Sequence, residues 1–236
     1  MNNNLKDIKH IYVSEMFYSL QGEGKTMGVP SLFLRTQYCN QSCKWCDTIE
    51  VWKHGVPYIS KEIIDKWKDE KWYNKLIKGT HLVITGGEPL TQQKNLISLL
   101  QDLPLNVYKE VETAGTIKPE ERFDKLINQY NVSPKLENSG MKKNVRHKED
   151  VLDYFSKNEK ANFKFVIDNQ DDLYEVIDDF INKFKIDNSD VWLMPQGSSR
   201  KELEVKREWL AEICKLYNFN YSDRLQVVIW DRTTGV

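Results

Sequence analysis

The chain has 236 residues, which is long enough for one sizeable hydrophobic core and fits a single domain over residues 1–236. Its 34 Lys and Arg residues nearly balance its 35 Asp and Glu residues, and this balance argues against a broad basic face that binds nucleic acid. The sequence has no apolar run of about 18 residues that could span a membrane, and its N-terminus lacks the apolar core of a signal peptide. We therefore expect a cytoplasmic protein with neither a nucleic-acid nor a membrane partner.

Short β-rich runs alternate with helical patterns along the chain. Strands are predicted over residues 31–36, 81–85, 106–112, 130–133, 163–167, 191–194 and 225–230, and residues 12–18 form a further β-like run. Helices are predicted over residues 59–77, 91–101, 119–127, 149–156, 171–184 and 200–217. This alternation indicates a parallel sheet with right-handed crossovers, and six or seven strands are too few for a closed eightfold barrel. We predict an α/β fold, an open partial (β/α) barrel with about six parallel strands and flanking helices.

Polar motifs follow several predicted strands at the point where each strand ends. They are the loop after residue 36 and the segments 86–89, 112–113 and 133–135. In open parallel sheets the chemistry gathers at the carboxyl ends of the strands. We therefore expect these motifs to form one shared site.

The loop after residue 36 contains three cysteines in a C-x3-C-x2-C spacing, Cys39, Cys43 and Cys46. A cubane iron–sulfur cluster normally takes four thiolates, so three thiolates leave one iron open for a small molecule. An open coordination position is typical of a working metal site rather than a structural one. A zinc knuckle or a partial disulfide framework is the alternative, but Cys214 lies far along the chain in a predicted helix, and only His54 could complete a zinc set. The spacing favours the cluster.

Two motifs that flank this loop have both a structural and a functional interpretation. Residues 85–89, Thr-Gly-Gly-Glu-Pro, form an ordinary strand-to-helix turn or let a ligand approach the backbone at Gly87, and we favour the ligand. Asp47-Thr48 is either turn chemistry or a hard-oxygen site for Mg²⁺, since both residue types cap loops and both carry oxygen. The sequence leaves the second choice open.

Two further polar features lie nearer the N-terminus. The segment 19–24, Ser-Leu-Gln-Gly-Glu-Gly, is either a hairpin turn or a place where Gln and Glu contact the donor and acceptor edges of a heterocycle. Arg35 interrupts an apolar strand, so its guanidinium either binds a ligand carboxylate in bidentate fashion or forms a structural ion pair.

Taken together, these motifs resemble those of a known enzyme family. The C-x3-C-x2-C loop resembles that of the radical S-adenosylmethionine superfamily. The order and spacing of segments 15–24, 28–35, 39–48, 85–89, 112–115 and 133–135 resemble the 7-carboxy-7-deazaguanine synthase family over most of the chain. The cysteine spacing alone resembles the whole superfamily. Two further segments narrow the resemblance to this family: Leu-Gln-Gly-Glu-Gly at residues 20–24 and Cys-Asp-Thr at residues 46–48.

The resemblance implies a partial barrel of the radical S-adenosylmethionine type and a carbon–nitrogen lyase. Such an enzyme converts 6-carboxy-5,6,7,8-tetrahydropterin to 7-carboxy-7-deazaguanine with loss of ammonia, a step toward queuosine and related deazapurines. The implied cofactors are a 4Fe-4S cluster, S-adenosylmethionine and Mg²⁺. A 5'-deoxyadenosyl radical abstracts the hydrogen at C6, and a Mg²⁺-assisted ring contraction follows. An electron donor such as flavodoxin and a homodimer are the implied partners.

The resemblance also assigns roles to individual residues. Cys39, Cys43 and Cys46 would hold the cluster, and Thr48 would bind Mg²⁺. S-Adenosylmethionine would lie along Trp45, Cys46, Asp47, Gly87, Ser133, Pro134 and Lys135. The substrate would contact Leu20, Gln21, Gly22, Arg35, Thr85 and Val236. No catalytic side chain is expected, because the radical chemistry belongs to the cofactor.

Two other functions compete with this one. A radical activase that modifies a partner protein uses the same cysteine spacing, but this chain has no second cysteine cluster of the kind that activases often carry. A non-catalytic electron carrier or zinc module would give no 5'-deoxyadenosine when supplied with reductant and S-adenosylmethionine.

Overall fold

A computed structural model describes residues 9–233, and its centre is one mixed sheet of nine strands. The strands are β1 Ile11–Leu20, β2 Pro30–Thr36, β3 Val56–Tyr58, β4 His81–Gly86, β5 Lys109–Thr113, β6 Gln129–Val132, β7 Ala161–Ile167, β8 Val191–Pro195 and β9 Asn220–Tyr221. Their order across the sheet is β3-β1-β2-β4-β5-β6-β7-β8-β9. The run from β2 through β9 is parallel, whereas β1 pairs antiparallel with both β2 and β3. The six longer parallel strands confirm the predicted open partial barrel.

Ten α-helices connect and cover the strands of the described chain. They are α1 Ile49–Trp52, α2 Ser60–Asp69, α3 Tyr73–Ile77, α4 Gln93–Asp102, α5 Glu121–Asp124, α6 Lys143–Arg146, α7 Glu149–Ser156, α8 Gln170–Glu175, α9 Arg200–Tyr217 and α10 Leu225–Trp230. Between residues 9 and 233, the structure shows no helix with both the length and the apolar character needed to cross a membrane.

The two faces of the sheet differ in chemistry because successive side chains of a strand point to opposite sides. On the helix-facing side, apolar residues such as Leu82, Ile84 and Val111 belong to one continuous core. The residues that alternate with them on the inner side of the barrel are largely polar, among them Thr85, Glu110, Glu112, Gln129, Asn131 and Lys164. The polar inner face is therefore the place where a ligand can be bound.

The predicted helix over residues 59–77 is wrong in its middle, because two helices replace it. Lys71 adopts a left-handed backbone with φ of 62°, which a continuous right-handed helix cannot contain. The amide of Trp72 donates to the carbonyl of Trp67 at 2.8 Å and closes the turn between α2 and α3.

The predicted strand over residues 225–230 is also wrong, because this segment is helix α10. Its run of Val and Ile favours a strand, but β propensity depends on the availability of a partner strand. In the structure β9 pairs with β8 and precedes this segment, and the amides of Val227 and Val228 instead donate to the carbonyl of Arg224 at 2.9 and 3.0 Å. Tertiary context therefore overrides local preference here.

Several other boundaries differ from the sequence prediction. The strand predicted from residue 106 begins at Lys109, and the helix predicted over 119–127 is limited to α5. The helix predicted over 171–184 consists of α8 followed by a π-helical segment, Val176–Asn182. The short elements β3, β9, α1 and α6 have no counterpart among the predicted elements.

Candidate active site

The cysteine loop, defined here as residues 37–47, leaves β2 and packs against the Gly-Gly turn that follows β4. The amide of Gly87 donates to the carbonyl of Thr36 at 3.3 Å, and that of Glu88 donates to the carbonyl of Tyr38 at 2.8 Å. A Cβ atom on Gly87 would overlap the carbonyl of Tyr38 and would lie 2.6 Å from the Cβ of Cys39. Glycine is therefore required at residue 87 for the turn to approach the cysteine loop this closely.

The segment that follows β6 holds the other side of the cysteine loop. The amide of Lys44 donates to the carbonyl of Ser139 at 2.9 Å, and Nε1 of Trp45 donates to the carbonyl of Asn138 at 3.0 Å. Nζ of Lys135 lies 5.7 Å from the centre of the Trp45 ring. The predicted cofactor residues from three different loops therefore come together, as the sequence analysis expected.

The three clustered cysteines are free thiols, and each is partly exposed. The amide of Gln41 donates to Sγ of Cys39 at 3.4 Å, and Nε1 of Trp52 donates to Sγ of Cys46 at 3.4 Å. Burial raises the pKa of the Cys39 thiol to about 11, with the Glu88 carboxylate adding to the rise. Burial also raises the pKa of Cys43, and Lys135 opposes this rise. A bound metal overcomes such shifts because it deprotonates the thiols that bind it.

The donor set fits an iron–sulfur cluster. Soft thiolates are the ligands that such clusters take, and the Lys135 ammonium lies near enough to oppose the rise that burial causes in the pKa of Cys43. Each cysteine of a cubane binds a different iron, so the sulfurs need not converge on one atom. In the described part of the chain, no three side chains of His, Cys, Asp or Glu are arranged to hold a single metal ion.

Glu88, the acidic residue of the Gly-Gly-Glu turn, is turned away from this space. It is fully buried, and its carboxylate accepts hydrogen bonds from the Thr113 hydroxyl at 2.9 Å and from the amides of Ala114 and Leu90 at 2.8 and 3.1 Å. Burial raises its pKa despite these donors. Glu88 therefore links the Gly-Gly turn to the end of β5. It holds this turn in place against the cysteine loop and is not directed toward a ligand.

Predicted substrate residues meet on the inner face of the barrel at Glu112. The Thr85 hydroxyl donates to Oε2 of Glu112 at 2.7 Å, and Nε2 of Gln21 donates to Oε1 at 3.1 Å. Arg35 lies beside Thr85 in the β2–β4 register. Glu112 lies in one of the sequence motifs but is given no predicted role, although two acidic residues alternating with Val111 in β5 indicate a charged face.

Arg35 forms the ion pair that the sequence left as one of two alternatives. Its Nε donates to Oε1 of Glu15 at 2.6 Å, and the two residues are cross-strand partners in β1 and β2. Within residues 9–233 the Arg35 side chain makes no other hydrogen bond. Its Nη1 and Nη2 are therefore available for a ligand carboxylate. The carboxylate-binding role of Arg35 stays a prediction.

The segment 21–28, called here the substrate loop, leads from β1 to β2 and carries a second acidic residue, Glu23. Its carboxylate pairs with Lys164 and accepts from Nε of Arg224 at 3.1 Å and from Nε2 of Gln226 at 2.8 Å. Burial opposes ionisation of Glu23, but the two cations outweigh burial and lower its pKa. Glu23 is thus occupied by the protein itself, and the idea that it contacts a heterocycle loses support.

The remaining predicted residues lie around these two loops. Leu20 ends β1, and Gly22 packs against Gln226 so closely that a Cβ would overlap its Oε1. Ser133 donates its amide to the carbonyl of Thr113 at 2.7 Å at the start of the 133–135 segment, which includes Pro134. Thr48 Oγ1 lies 3.8 Å from Sγ of Cys46. Asp47 pairs with Arg224, and Val236 lies outside the described residues.

Comparison with known proteins gives three kinds of similarity. Residues 20–116, which include the three clustered cysteines, match the family described as a 4Fe-4S single cluster domain. The chain is 35% identical over 230 residues to 7-carboxy-7-deazaguanine synthase of Pyrobaculum aerophilum, covering 95% of this chain and 97% of the relative. It is also 35% identical to the enzyme of that name from Rhodopirellula baltica, covering 92% and 85% of the two chains.

Solved structures share the fold. The crystal structure of QueE from Escherichia coli superposes with a TM-score of 0.68 at 24% identity, covering 91% of this chain and 93% of that one. Streptococcus suis SuiB bound to S-adenosylmethionine gives a TM-score of 0.52 at 17% identity, covering 79% of this chain and 44% of SuiB. These likenesses support the partial-barrel architecture.

Proposed function

Since the chain belongs to the 7-carboxy-7-deazaguanine synthase family of radical S-adenosylmethionine lyases, we propose that it converts 6-carboxy-5,6,7,8-tetrahydropterin to 7-carboxy-7-deazaguanine with loss of ammonia. The product would serve the synthesis of queuosine or related deazapurines. The observation that carries the proposal is the convergence of Gln21 and Thr85 on Glu112, beside Arg35 and next to the cysteine loop.

The chemistry of these residues suits the proposed substrate. A pterin presents neighbouring N–H donors on its pyrimidine ring, and a carboxylate such as that of Glu112 accepts such a pair. The substrate also carries a carboxylate, which the two terminal nitrogens of Arg35 can bind in bidentate fashion. Gln21 is almost fully buried and has both a donor and an acceptor for the ring edge.

The site also has residues to hold the cofactors. Cys39, Cys43 and Cys46 would hold the 4Fe-4S cluster, which with S-adenosylmethionine supplies a 5'-deoxyadenosyl radical for removal of the hydrogen at C6. S-Adenosylmethionine would lie along Trp45, Cys46, Asp47, Gly87, Ser133, Pro134 and Lys135. Burial lowers the pKa of Lys135, and the Cys43 thiolate opposes this fall. The Nζ of Lys135 lies beside the Trp45 ring, where it would meet an anionic cofactor group.

Mg²⁺ would bind at Thr48, whose hydroxyl is a hard-oxygen ligand close to the last cysteine. The ion usually keeps several water ligands and completes its shell with substrate oxygen, so a single protein hydroxyl suffices as an anchor. A cation at this place would hold the substrate carboxylate while the ring contracts.

The protein itself would contribute orientation and exclusion of water. Glu112 and Arg35 lie on neighbouring parts of the same inner face, and they would fix the pterin plane with C6 toward the cysteine loop. The substrate loop packs over this face, and Val236, outside the described residues, would add a further contact. Holding a reactive substrate in a dry, oriented position limits side reactions.

The test is an anaerobic reaction of the iron- and sulfide-reconstituted protein with reductant, S-adenosylmethionine, Mg²⁺ and 6-carboxy-5,6,7,8-tetrahydropterin. We expect 7-carboxy-7-deazaguanine, ammonia and 5'-deoxyadenosine, identified by mass spectrometry. Formation of 5'-deoxyadenosine without the deazaguanine would indicate another radical enzyme, such as an activase. No 5'-deoxyadenosine at all would indicate an electron carrier or a zinc module.

The proposed activity also implies an electron donor, an oligomeric state and a cellular compartment. An electron donor such as flavodoxin would reduce the cluster, because the chain has only the one cysteine cluster in its sequence. The enzyme would act as a homodimer, as the family resemblance implies. It would work in the cytoplasm, whose reducing conditions suit the free thiols of the described chain.

A further inference from the structure

The side chain of Arg224 joins three segments that are far apart in the sequence. Its Nε donates to Oε1 of Glu23 at 3.1 Å, and its Nη1 donates to the carbonyl of Gly197 at 2.6 Å. Its Nη2 donates to Oδ2 of Asp47. The guanidinium therefore links the substrate loop and the last residue of the cysteine loop to the segment that follows β8.

Burial strengthens the Glu23 end of this link more than the Asp47 end. The side chains of Arg224 and Glu23 are 14% and 17% exposed, whereas that of Asp47 is 44% exposed. Burial disfavours the charged form of Arg224, but the carboxylates of Glu23 and Asp47 outweigh burial and raise its pKa. Charge-assisted hydrogen bonds in such surroundings are among the strong ones, and a guanidinium can serve several acceptors at once because its donors are fixed in a plane.

Neighbours of Arg224 bind the substrate loop but do not reach the cysteine loop. The amide of Leu225 donates to the carbonyl of Gly22 at 2.8 Å, and the amide of Gly24 donates to the hydroxyl of Ser222 at 2.8 Å. Gln226 adds its hydrogen bond to Glu23. Segment 222–226 therefore supports the substrate loop as a unit, and Arg224 is its direct contact with Asp47.

We propose that Arg224 is a positioning residue that couples the cysteine loop to the substrate loop, so that ordering of either loop orders the other. The proposal rests on the proposed function only for the assignment of S-adenosylmethionine to the cysteine loop. Coupling of this kind is reciprocal. It requires no change of backbone conformation, because a ligand that orders one loop also reduces the conformational entropy that the other loop would lose when its own ligand binds. S-Adenosylmethionine bound along Asp47 would thus prepare the substrate loop before the pterin arrives.

Hydrogen–deuterium exchange of the anaerobically reconstituted protein, measured with and without S-adenosylmethionine, tests this coupling. The protein is compared with its R224Q variant, and no pterin is added. In the parent protein we expect S-adenosylmethionine to slow exchange of the substrate-loop amides by about fivefold or more, although these amides lie on another loop. In R224Q we expect less than about a twofold effect, with cluster absorbance retained.

The matched control is R200Q. Arg200 donates to the carbonyls of Val228 and Ile229 and so holds α10 without touching either loop. This variant should keep the effect of S-adenosylmethionine on the substrate loop. If R200Q and R224Q lose the effect equally, the link is general anchoring of the C-terminal helix and the proposal is wrong.

A second variant covers the case in which R224Q does not fold or does not hold the cluster. E23Q removes the charge at the other end of the same link, while the Leu225–Gly22 and Ser222–Gly24 hydrogen bonds still support the loop. E23Q should also lose the effect, and an undiminished effect in either folded variant overturns the proposal. Binding of S-adenosylmethionine without slower exchange in the parent protein would overturn it as well, whereas absence of any binding would instead contradict the proposed function.

Discussion

Glu110 and Glu112 lie two residues apart on the same face of β5, but their surroundings differ. Glu110 is fully buried, and its carboxylate receives hydrogen bonds from a closed set of side chains, Thr26, His81, Gln129 and Asn131. Glu112 is partly exposed and receives one hydrogen bond on each oxygen, from Gln21 and Thr85. A carboxylate has room for about four donors, so Glu112 retains capacity for a ligand and Glu110 does not.

This contrast distinguishes structural from functional polar groups inside one barrel. A buried acid whose hydrogen bonds all come from the protein specifies the fold. An acid of the same strand that faces the cysteine loop end, with donors still to gain, is suited to bind a substrate. Glu112→Gln and Glu110→Gln test this contrast directly, and substitutions in the cysteine loop and its neighbours test the cofactor site that Glu112 faces.

The largest effect is expected from removing one thiolate, as in Cys43→Ala. Two remaining thiolates cannot hold the cluster in place, so bound iron and 5'-deoxyadenosine formation should both fall to the level of a protein-free control. Iron analysis and chromatography measure the two quantities. Cys214→Ala is the matched control, since Cys214 is buried in α9 away from the loop, and it should keep both. Normal iron content in Cys43→Ala would contradict the assignment.

The next largest effect is expected from Glu112→Gln. An amide nitrogen in place of one oxygen cannot accept, so kcat/KM for the pterin should fall roughly 10- to 100-fold with little change in Tm. Glu110→Gln is the opposite case: it should lower the free energy of unfolding by about 1–3 kcal/mol and leave KM unchanged. Steady-state kinetics and thermal unfolding of both variants test the contrast, and reversed outcomes would refute it.

Gly87→Ala should crowd the cysteine loop. The added Cβ meets backbone atoms of Tyr38, which cannot move aside without shifting Cys39, so overpacking of about 1–3 kcal/mol should reduce iron occupancy. The control is Gly79→Ala, where φ is 106° and no atom lies within 4 Å of the new Cβ. That variant should lose about 1 kcal/mol of stability through backbone strain and keep its iron. Equal iron in both variants would show that close packing at residue 87 is unimportant.

The smallest effect is expected from Thr48→Ala. Loss of one hydroxyl ligand should abolish the stimulation of turnover by added Mg²⁺ while cluster absorbance stays unchanged. Ser42→Ala is the comparison, because its hydroxyl lies on the adjoining cysteine loop but contacts Met141 Sδ at 3.7 Å. Undiminished stimulation in Thr48→Ala would remove Thr48 from the metal site.

Much of the fold could be predicted from sequence because local pattern and tertiary structure agree there. The apolar strands 31–36 and 81–85 appear nearly as expected, as does α9. Each ends or begins at residues whose chemistry is local, such as the Ser199 hydroxyl that accepts from the amide of Glu202 at the start of α9. The motifs at the strand ends also meet, because parallel strands place their carboxyl ends together.

What could not be predicted depends on contacts between distant residues. Nothing near Leu225 in sequence announces that β9 already occupies the sheet edge, so a strand was predicted where α10 forms. The partners of Glu23 and Asp47 are likewise invisible locally, since Arg224 is separated from them by 201 and 177 positions. Glu88 lies inside a motif predicted to contact a ligand, but its hydrogen-bond donors at the end of β5 show that it is a buried structural residue.

The distance along the chain between Glu23 and Arg224 has a consequence for biosynthesis. A ribosome makes the substrate loop long before it makes segment 222–226. That segment supports the loop through four hydrogen bonds, one each involving residues 222, 224, 225 and 226. A nascent polypeptide stalled in α9 would already display all three thiols of the cysteine loop but would lack the support on which residues 22–24 depend. Formation of this pocket therefore waits until segment 222–226 has left the exit tunnel.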